Sequence, residues 1–99
     1  LTVKSSEMNT FKIIYKFFNN IKIDLISQGK WNSHAFVYTL EGKLYGFGEN
    51  SRHELGIDGN DPVIPPTLIG FKFDSSIKQI SCGLYHTLFL TNNGNIFGC

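Results

Sequence analysis

The sequence predicts an all-β chain of repeated antiparallel strand units, about one complete propeller blade with parts of two neighbours. Three observations carry this. The chain matches itself at offsets of 52 to 54 residues. Each unit reads as short apolar strands separated by glycine-bearing turns. All ten Gly and all three Pro lie after residue 28, so the chain changes character there.

The repeat is visible residue by residue. Ile23-Asp-Leu-Ile-Ser-Gln-Gly29 aligns on Ile77-Lys-Gln-Ile-Ser-Cys-Gly83. His34-Ala-Phe-Val-Tyr-Thr-Leu-Glu-Gly-Lys-Leu-Tyr-Gly46 aligns on His86-Thr-Leu-Phe-Leu-Thr-Asn-Asn-Gly-Asn-Ile-Phe-Gly98 after a two-residue adjustment. Differences keep character, as in Phe36/Leu88, Val37/Phe89, Leu44/Ile96 and Tyr45/Phe97. The organisation expected is an N-terminal segment over 1–22, a repeat over 23–76, and the start of the next repeat over 77–99.

Within a repeat the elements follow in order. Residues 77–82 form a first strand. Residues 86–91 form a second, apolar almost throughout, as a strand covered on both faces requires. Asn92-Asn93-Gly94 supplies a tight hairpin, since Asn and Gly tolerate positive φ; Leu40-Glu41-Gly42 holds the same place earlier. Residues 43–48 form a third strand, and a short fourth is expected around 54–57. Residues 58–66 are expected to be a loop, because Pro62, Pro65 and Pro66 withdraw backbone donors from a ladder. Three to four strands every fifty or so residues is the spacing of a propeller blade.

The N-terminal segment admits two readings. Phe11, Ile14, Phe18, Ile21 and Leu25 recur at helical steps. Ile13, Phe17 and Ile23 interrupt the polar face, however, and Phe17 to Ile23 can be laid on Phe71 to Ile77. The end of a degraded preceding blade is therefore preferred over a helical extension packed on the propeller.

Composition narrows the function classes. The 99 residues carry a net charge of +1, with 41% hydrophobic residues, enough for a core but no basic excess for wrapping nucleic acid. Residues 1–30 hold five lysines against two acids, read as a solvated face rather than a targeting arm. Two cysteines make no disulfide scaffold and no zinc spacing. No apolar run reaches the length of a membrane helix, and no signal-peptide pattern or N-x-S/T sequon occurs. The expectation is an intracellular chain, cytoplasmic or nuclear.

Gly46-Phe-Gly-Glu-Asn-Ser-Arg-His-Glu-Leu-Gly56 resembles the G-W-G-x-N-x-x-G-Q-L-G signature of regulator-of-chromosome-condensation (RCC1) repeats. Ile80 to Gly98 is similar to the other half of the same repeat. The resemblance covers roughly residues 23–99. It departs at Phe47 for Trp, His53 for Gly and Glu54 for Gln, and carries a two-residue insertion around Lys30 to Ser33. Family members close seven such blades into a ring, which implies an RCC1-like propeller and on the order of 350 residues. Ninety-nine residues cannot close that ring, so a fragment of a longer protein is expected.

The resemblance implies a non-catalytic interaction scaffold with a protein partner. Guanine-nucleotide exchange on a Ran-type small GTPase is the alternative, as is a targeting module within a larger ubiquitin ligase or kinase. Candidate partner-binding residues are Trp31, His34, Asp58, Asp61 and His86. The family prototype presses histidines and acids against its GTPase, which would place His34 and His86 at one end of the propeller. A histidine recurring in every unit is more simply part of the blade, and that reading is preferred. Trp31, in the irregular connection before His34, could anchor a partner or cover the blade end. Asp58 and Asp61 sit in a Gly/Asn/Pro stretch and are read first as turn formers.

No catalytic residue, metal site or cofactor is expected. Gly46 and Gly48 lie within a strand and lack a following G-K-[ST], so they suit close blade packing rather than a phosphate loop. Cys82 and Cys99 are read as small apolar residues in a reducing compartment. Membrane association is excluded, and direct nucleic-acid binding is disfavoured.

Overall fold

The computed structural model describes residues 12–29 and 34–99. They form seven strands in two antiparallel sheets. The first sheet has the order β1-β2-β3-β4, with β1 at Ile23–Gln28, β2 at His34–Thr39, β3 at Leu44–Gly48 and β4 at Val63–Leu68. The second has the order β5-β6-β7, with β5 at Ile77–Cys82, β6 at Thr87–Thr91 and β7 at Ile96–Gly98.

The sequence repeat is a structural repeat, down to single hydrogen bonds. Ile23 faces Thr39 as Ile77 faces Thr91, and each first strand has an irregularity immediately afterwards. The Gly29 amide donates to the His34 carbonyl at 2.8 Å, and the Gly83 amide donates to that of His86 at the same distance. At the hairpin tips, Gly42 and Gly94 share φ +86° and donate to Thr39 and Thr91. This left-handed conformation is the reason for glycine at both tips.

Two sequence expectations change at the edge of the first sheet. The fourth strand lies at Val63–Leu68, while residues 54–57 make turns. Prolines 65 and 66 therefore sit inside a strand, after a cis Ile64–Pro65 bond. They are tolerated because β4 is an edge strand and its register on β3 shifts between Gly46–Thr67 and Gly48–Val63. The prolines fall in that gap, where the ladder asks them for no donor.

The N-terminal segment also departs from the preferred reading. Residues 12–17 are helical rather than the end of a preceding blade. Ile14 and Phe18 are buried on the first sheet, in a cluster with Ala35, Val37 and Phe47. The rings of Phe18 and Tyr45 meet edge to face at 5.1 Å.

The main core lies between the sheets. Phe36, Tyr38, Leu44 and Leu55 pack against Ile77, Ile80 and Phe89. Phe36 and Phe89 meet at 5.1 Å with nearly perpendicular rings, and Phe71, Phe73 and Phe97 extend this aromatic cluster. Tyr38 also accepts a hydrogen bond from the Ile77 amide, tying a strand of one sheet to the start of the other. Gly46 lies in the same seam. A Cβ there would stand 3.2 Å from the Phe36 ring and 3.3 Å from Leu55, so close packing is its reason for being glycine.

Covering differs between the two second strands. β2 is buried along its whole length, between the helix and the second sheet. On β6 only alternate residues are buried, and Leu88 is 46% exposed. The expectation of burial on both faces holds for the first blade; the second has a neighbour on one face only among the described residues.

Candidate interaction face

The strand directions bring the connections after β1, β3 and β5 to one end of the blades, because Gln28 pairs with Ala35, His34 with Gly48, and Cys82 with Thr87. Of the candidate residues from the sequence, His34, Asp58, Asp61 and His86 belong to this end. Trp31 lies outside the described residues.

His34 is only 1% exposed. Its Nε2 lies 2.9 Å from Thr87 Oγ1, and the Thr87 hydroxyl donates to the Glu54 carbonyl at 2.7 Å. With the hydroxyl proton committed to Glu54, Nε2 must carry the proton of the neutral ring. Burial lowers the His34 pKa; the nearby Glu54 and a bond with the His86 backbone oppose this, and His86 adds to it. His34 therefore joins the two blades from inside, and its burial removes it from the surface a partner can touch. His86 occupies the same position in the second repeat but is exposed. Its ring lies over Gly83, where any Cβ would overlap it.

Asp58 and Asp61 are both exposed in the β3–β4 connection. This long loop is held by Asn50, which is fully buried. Asn50 Nδ2 donates to the carbonyls of Ile57 and Gly59 at 2.8 and 3.1 Å, and Oδ1 accepts from the Leu55 amide at 3.2 Å. Asp58 is thus presented between two fastened carbonyls. His53, at φ 58°, takes the left-handed turn for which the signature uses glycine. Glu54 is buried beside it, and its carboxylate accepts from the Arg52 amide at 2.8 Å.

The structure adds a contact that the sequence did not reveal. The Arg52 guanidinium lies over the Tyr85 ring, 4.5 Å from its centre. Arg52 comes from the β3–β4 connection of one blade and Tyr85 from the β5–β6 connection of the next. Both are exposed, with Leu84 exposed beside them. Arginine and tyrosine are the residue types that dominate binding hot spots, and stacking holds these two in one arrangement. The exposed residues at this end include Arg52, Asp58, Asp61, Leu84, Tyr85 and His86. Among the described residues no group of His, Cys, Asp and Glu is placed to hold a metal ion, and no helix is long and apolar enough to cross a membrane.

Comparison with known proteins agrees with this architecture. Residues 41–90 match the model of the regulator of chromosome condensation (RCC1) repeat. The ultraviolet-B receptor UVR8 of Arabidopsis thaliana is 38% identical over 79 residues, spanning 80% of this chain and 18% of the receptor. The protein RCC2 homolog of Danio rerio is 30% identical over 83 residues, covering 84% of this chain and 17% of its own. The crystal structure of Prp20p from Saccharomyces cerevisiae, described with its binding properties to Gsp1p and histones, superimposes with a TM-score of 0.69 at 25% identity. That match covers 78% of this chain and 18% of Prp20p. The chain thus spans about a fifth or less of these relatives. On the matched repeat, its duplicated blade and these likenesses, the chain belongs to the RCC1 repeat family, with the fold of its β-propellers.

Proposed function

We propose that these blades form a protein-interaction module that contacts its partner through the loop end bearing Arg52 and Tyr85. The single observation carrying this reading is that pair: an exposed, stacked cation and aromatic, contributed by neighbouring blades. A buried polar framework of His34, Thr87, Asn50 and Glu54 lies beneath it. Rigid presentation lowers the entropy lost on binding, so the framework contributes to affinity without touching the partner. Asp58, Asp61 and His86 extend the same face, and mixed charge suits a protein surface better than a phosphate backbone.

The test is site-specific crosslinking in the full-length protein. A photoreactive residue at Tyr85 is expected to capture a defined protein, whereas one at Lys72, away from this end, captures none. Equal capture at both positions, or capture at Lys72 alone, would overturn the assignment of the face.

A second reading is favoured by the likeness to Prp20p, which is described as binding Gsp1p. Here the partner is a Ran-type small GTPase and the activity is nucleotide exchange. No covalent chemistry is required: the module would bind the nucleotide-free GTPase more tightly than the loaded form and shift that equilibrium. Release of fluorescent GDP is the measurement. Acceleration by the wild-type protein and its loss in Arg52→Glu support the reading; unaltered release with Ran-type GTPases removes it.

A further inference from the structure

At the end of the blades opposite Arg52 and Tyr85, a cleft of about 510 Å³ opens between the tip of the first hairpin and the segment that leaves the first sheet. Its lining comes wholly from residues 38–44 and 68–76. One blade and its own linker therefore build the cleft, which is not a sheet face awaiting a neighbour. Both walls are fastened. On the hairpin side, the Thr39 amide donates to the Lys43 carbonyl at 2.9 Å and the Lys43 amide to Thr39 Oγ1 at 3.1 Å. On the linker side, the amides of Asn92 and Asn93 donate to the Ser76 carbonyl and to Ser75 Oγ, at 2.9 and 3.1 Å. The Ile69 amide joins the two walls by donating to the Leu44 carbonyl at 2.8 Å.

Every polar side chain lining the cleft is a donor. Lys43 and Lys72 bring ammonium groups, and Tyr38, Ser75 and Ser76 bring hydroxyls. Tyr38 is only 7% exposed, and its oxygen already accepts from the Ile77 amide at 3.2 Å, which leaves its proton for the cleft. Ser75 is placed alike, with Oγ accepting from the Asn93 amide and its proton left to donate. Among the described residues no carboxylate lines the cleft. Glu41 meets Lys43 at 3.7 Å in an exposed and weak pair. The Asp74 carboxylate is held by the Asn95 side chain on the second hairpin.

The repeat shows that these donors are not part of the blade plan. A shift of 52 residues places Gly42 on Gly94 and Leu44 on Ile96, which keep their character, whereas Tyr38 falls on Leu90 and Lys43 on Asn95. The second hairpin has the same tip without the same donors. Beneath the donors, Leu44, Ile69 and Phe73 supply an apolar floor. Clustered donors beside such a floor fit an anion of several oxygens carried on an apolar body. A carboxylate offers a single charge, whereas a phosphate monoester carries close to two and so matches both ammonium groups. We propose that this cleft binds a small organic phosphate, with its phosphoryl group held by Lys43, Lys72, Tyr38 and Ser75 and its apolar body lying on Ile69 and Phe73. The site stands apart from the loop end and does not depend on the function assigned there.

The test is calorimetric titration of the full-length protein with phenyl phosphate, benzoate and inorganic phosphate. Phenyl phosphate is expected to bind more tightly than either of the others. Lys43→Gln and Lys72→Gln should each weaken it about tenfold, as the loss of a charge-assisted bond predicts. Tyr38→Phe should weaken it about fivefold. Lys78→Gln, at an exposed lysine outside the cleft, should leave it unchanged. Binding indifferent to both cleft lysines, or no saturable binding at millimolar phenyl phosphate, would overturn the site. Benzoate binding as tightly would overturn the phosphate assignment, and inorganic phosphate binding as tightly would overturn the apolar body. Tyr38→Phe also takes the acceptor from the Ile77 amide. If it unfolds the protein, the two lysine variants decide, since both side chains are exposed.

Discussion

His34 Nε2 and Thr87 Oγ1 stand 2.9 Å apart across the blade seam, 53 residues apart in sequence. Thr87 in turn donates to the Glu54 carbonyl, so one hydroxyl connects two strands and a loop. Thr87→Val removes it while nearly preserving shape, taking one hydrogen-bond partner from His34 and the stronger of two from the buried Glu54 carbonyl, which keeps only the Cys99 thiol at 3.4 Å. The expected loss is about 1–3 kcal/mol of unfolding free energy, read from urea titration. Thr87→Ser should recover most of it.

The same seam predicts a pH dependence. Burial holds the folded His34 pKa below 6.5, so the unfolded chain takes up this proton first as pH falls. The contribution is fully present above pH 6.5 and is lost as pH drops towards and through the depressed folded value. Urea midpoints measured downward from pH 8 should therefore decline below about 6.5. His34→Asn should remove that part of the decline.

Asn50 fastens the β3–β4 connection by three bonds to its backbone. Asn50→Ala should cost about 2–3 kcal/mol, because the Leu55 amide loses its acceptor in a buried place. Amide exchange should rise first across residues 55–59, and sheet amides should follow only through global unfolding.

Gly46 tests the closeness of the seam. Gly46→Val forces branched carbons towards Phe36, Leu55 and Ile69, all within 3.4 Å of the first added atom. Overpacking of this kind should cost roughly 1–3 kcal/mol, visible as a lower midpoint in thermal unfolding.

Burial raises the pKa of the Cys82 thiol, with hydrogen bonds to Ser27 and Thr87 acting the other way. The Cys99 thiol is raised chiefly by burial as well. Both should alkylate more slowly at pH 8 than a thiol in an unstructured peptide. Unfolding in urea should restore the ordinary rate, followed by mass spectrometry of each cysteine.

Six of the seven strands were legible because the chain states them twice: any match between Ile23–Gly46 and Ile77–Gly98 had to be structural. β4 was hidden by its prolines, whose missing donors argue against a strand until the register gap opposite them is known. The helix was hidden differently. The steps Phe11, Ile14, Phe18, Ile21 signalled it, but the overlay of Phe17 on Phe71 gave a competing account. The structural role of His34 followed from its recurrence, whereas the Arg52–Tyr85 contact could not be read. Those residues lie in different repeats, and their meeting depends on two loop conformations and on how one blade turns against the next.

The bonds of Asn50 have one more implication. All three end within residues 55–59, so Asn50 ties that stretch of the loop to itself, and the bond from Thr87 reaches the loop at Glu54, outside it. A segment with its own internal tether can drift in sequence without transmitting the change to its neighbours. Duplicated blades built on this plan can therefore diverge in what they display while inheriting one scaffold, each loop free to acquire a different specificity.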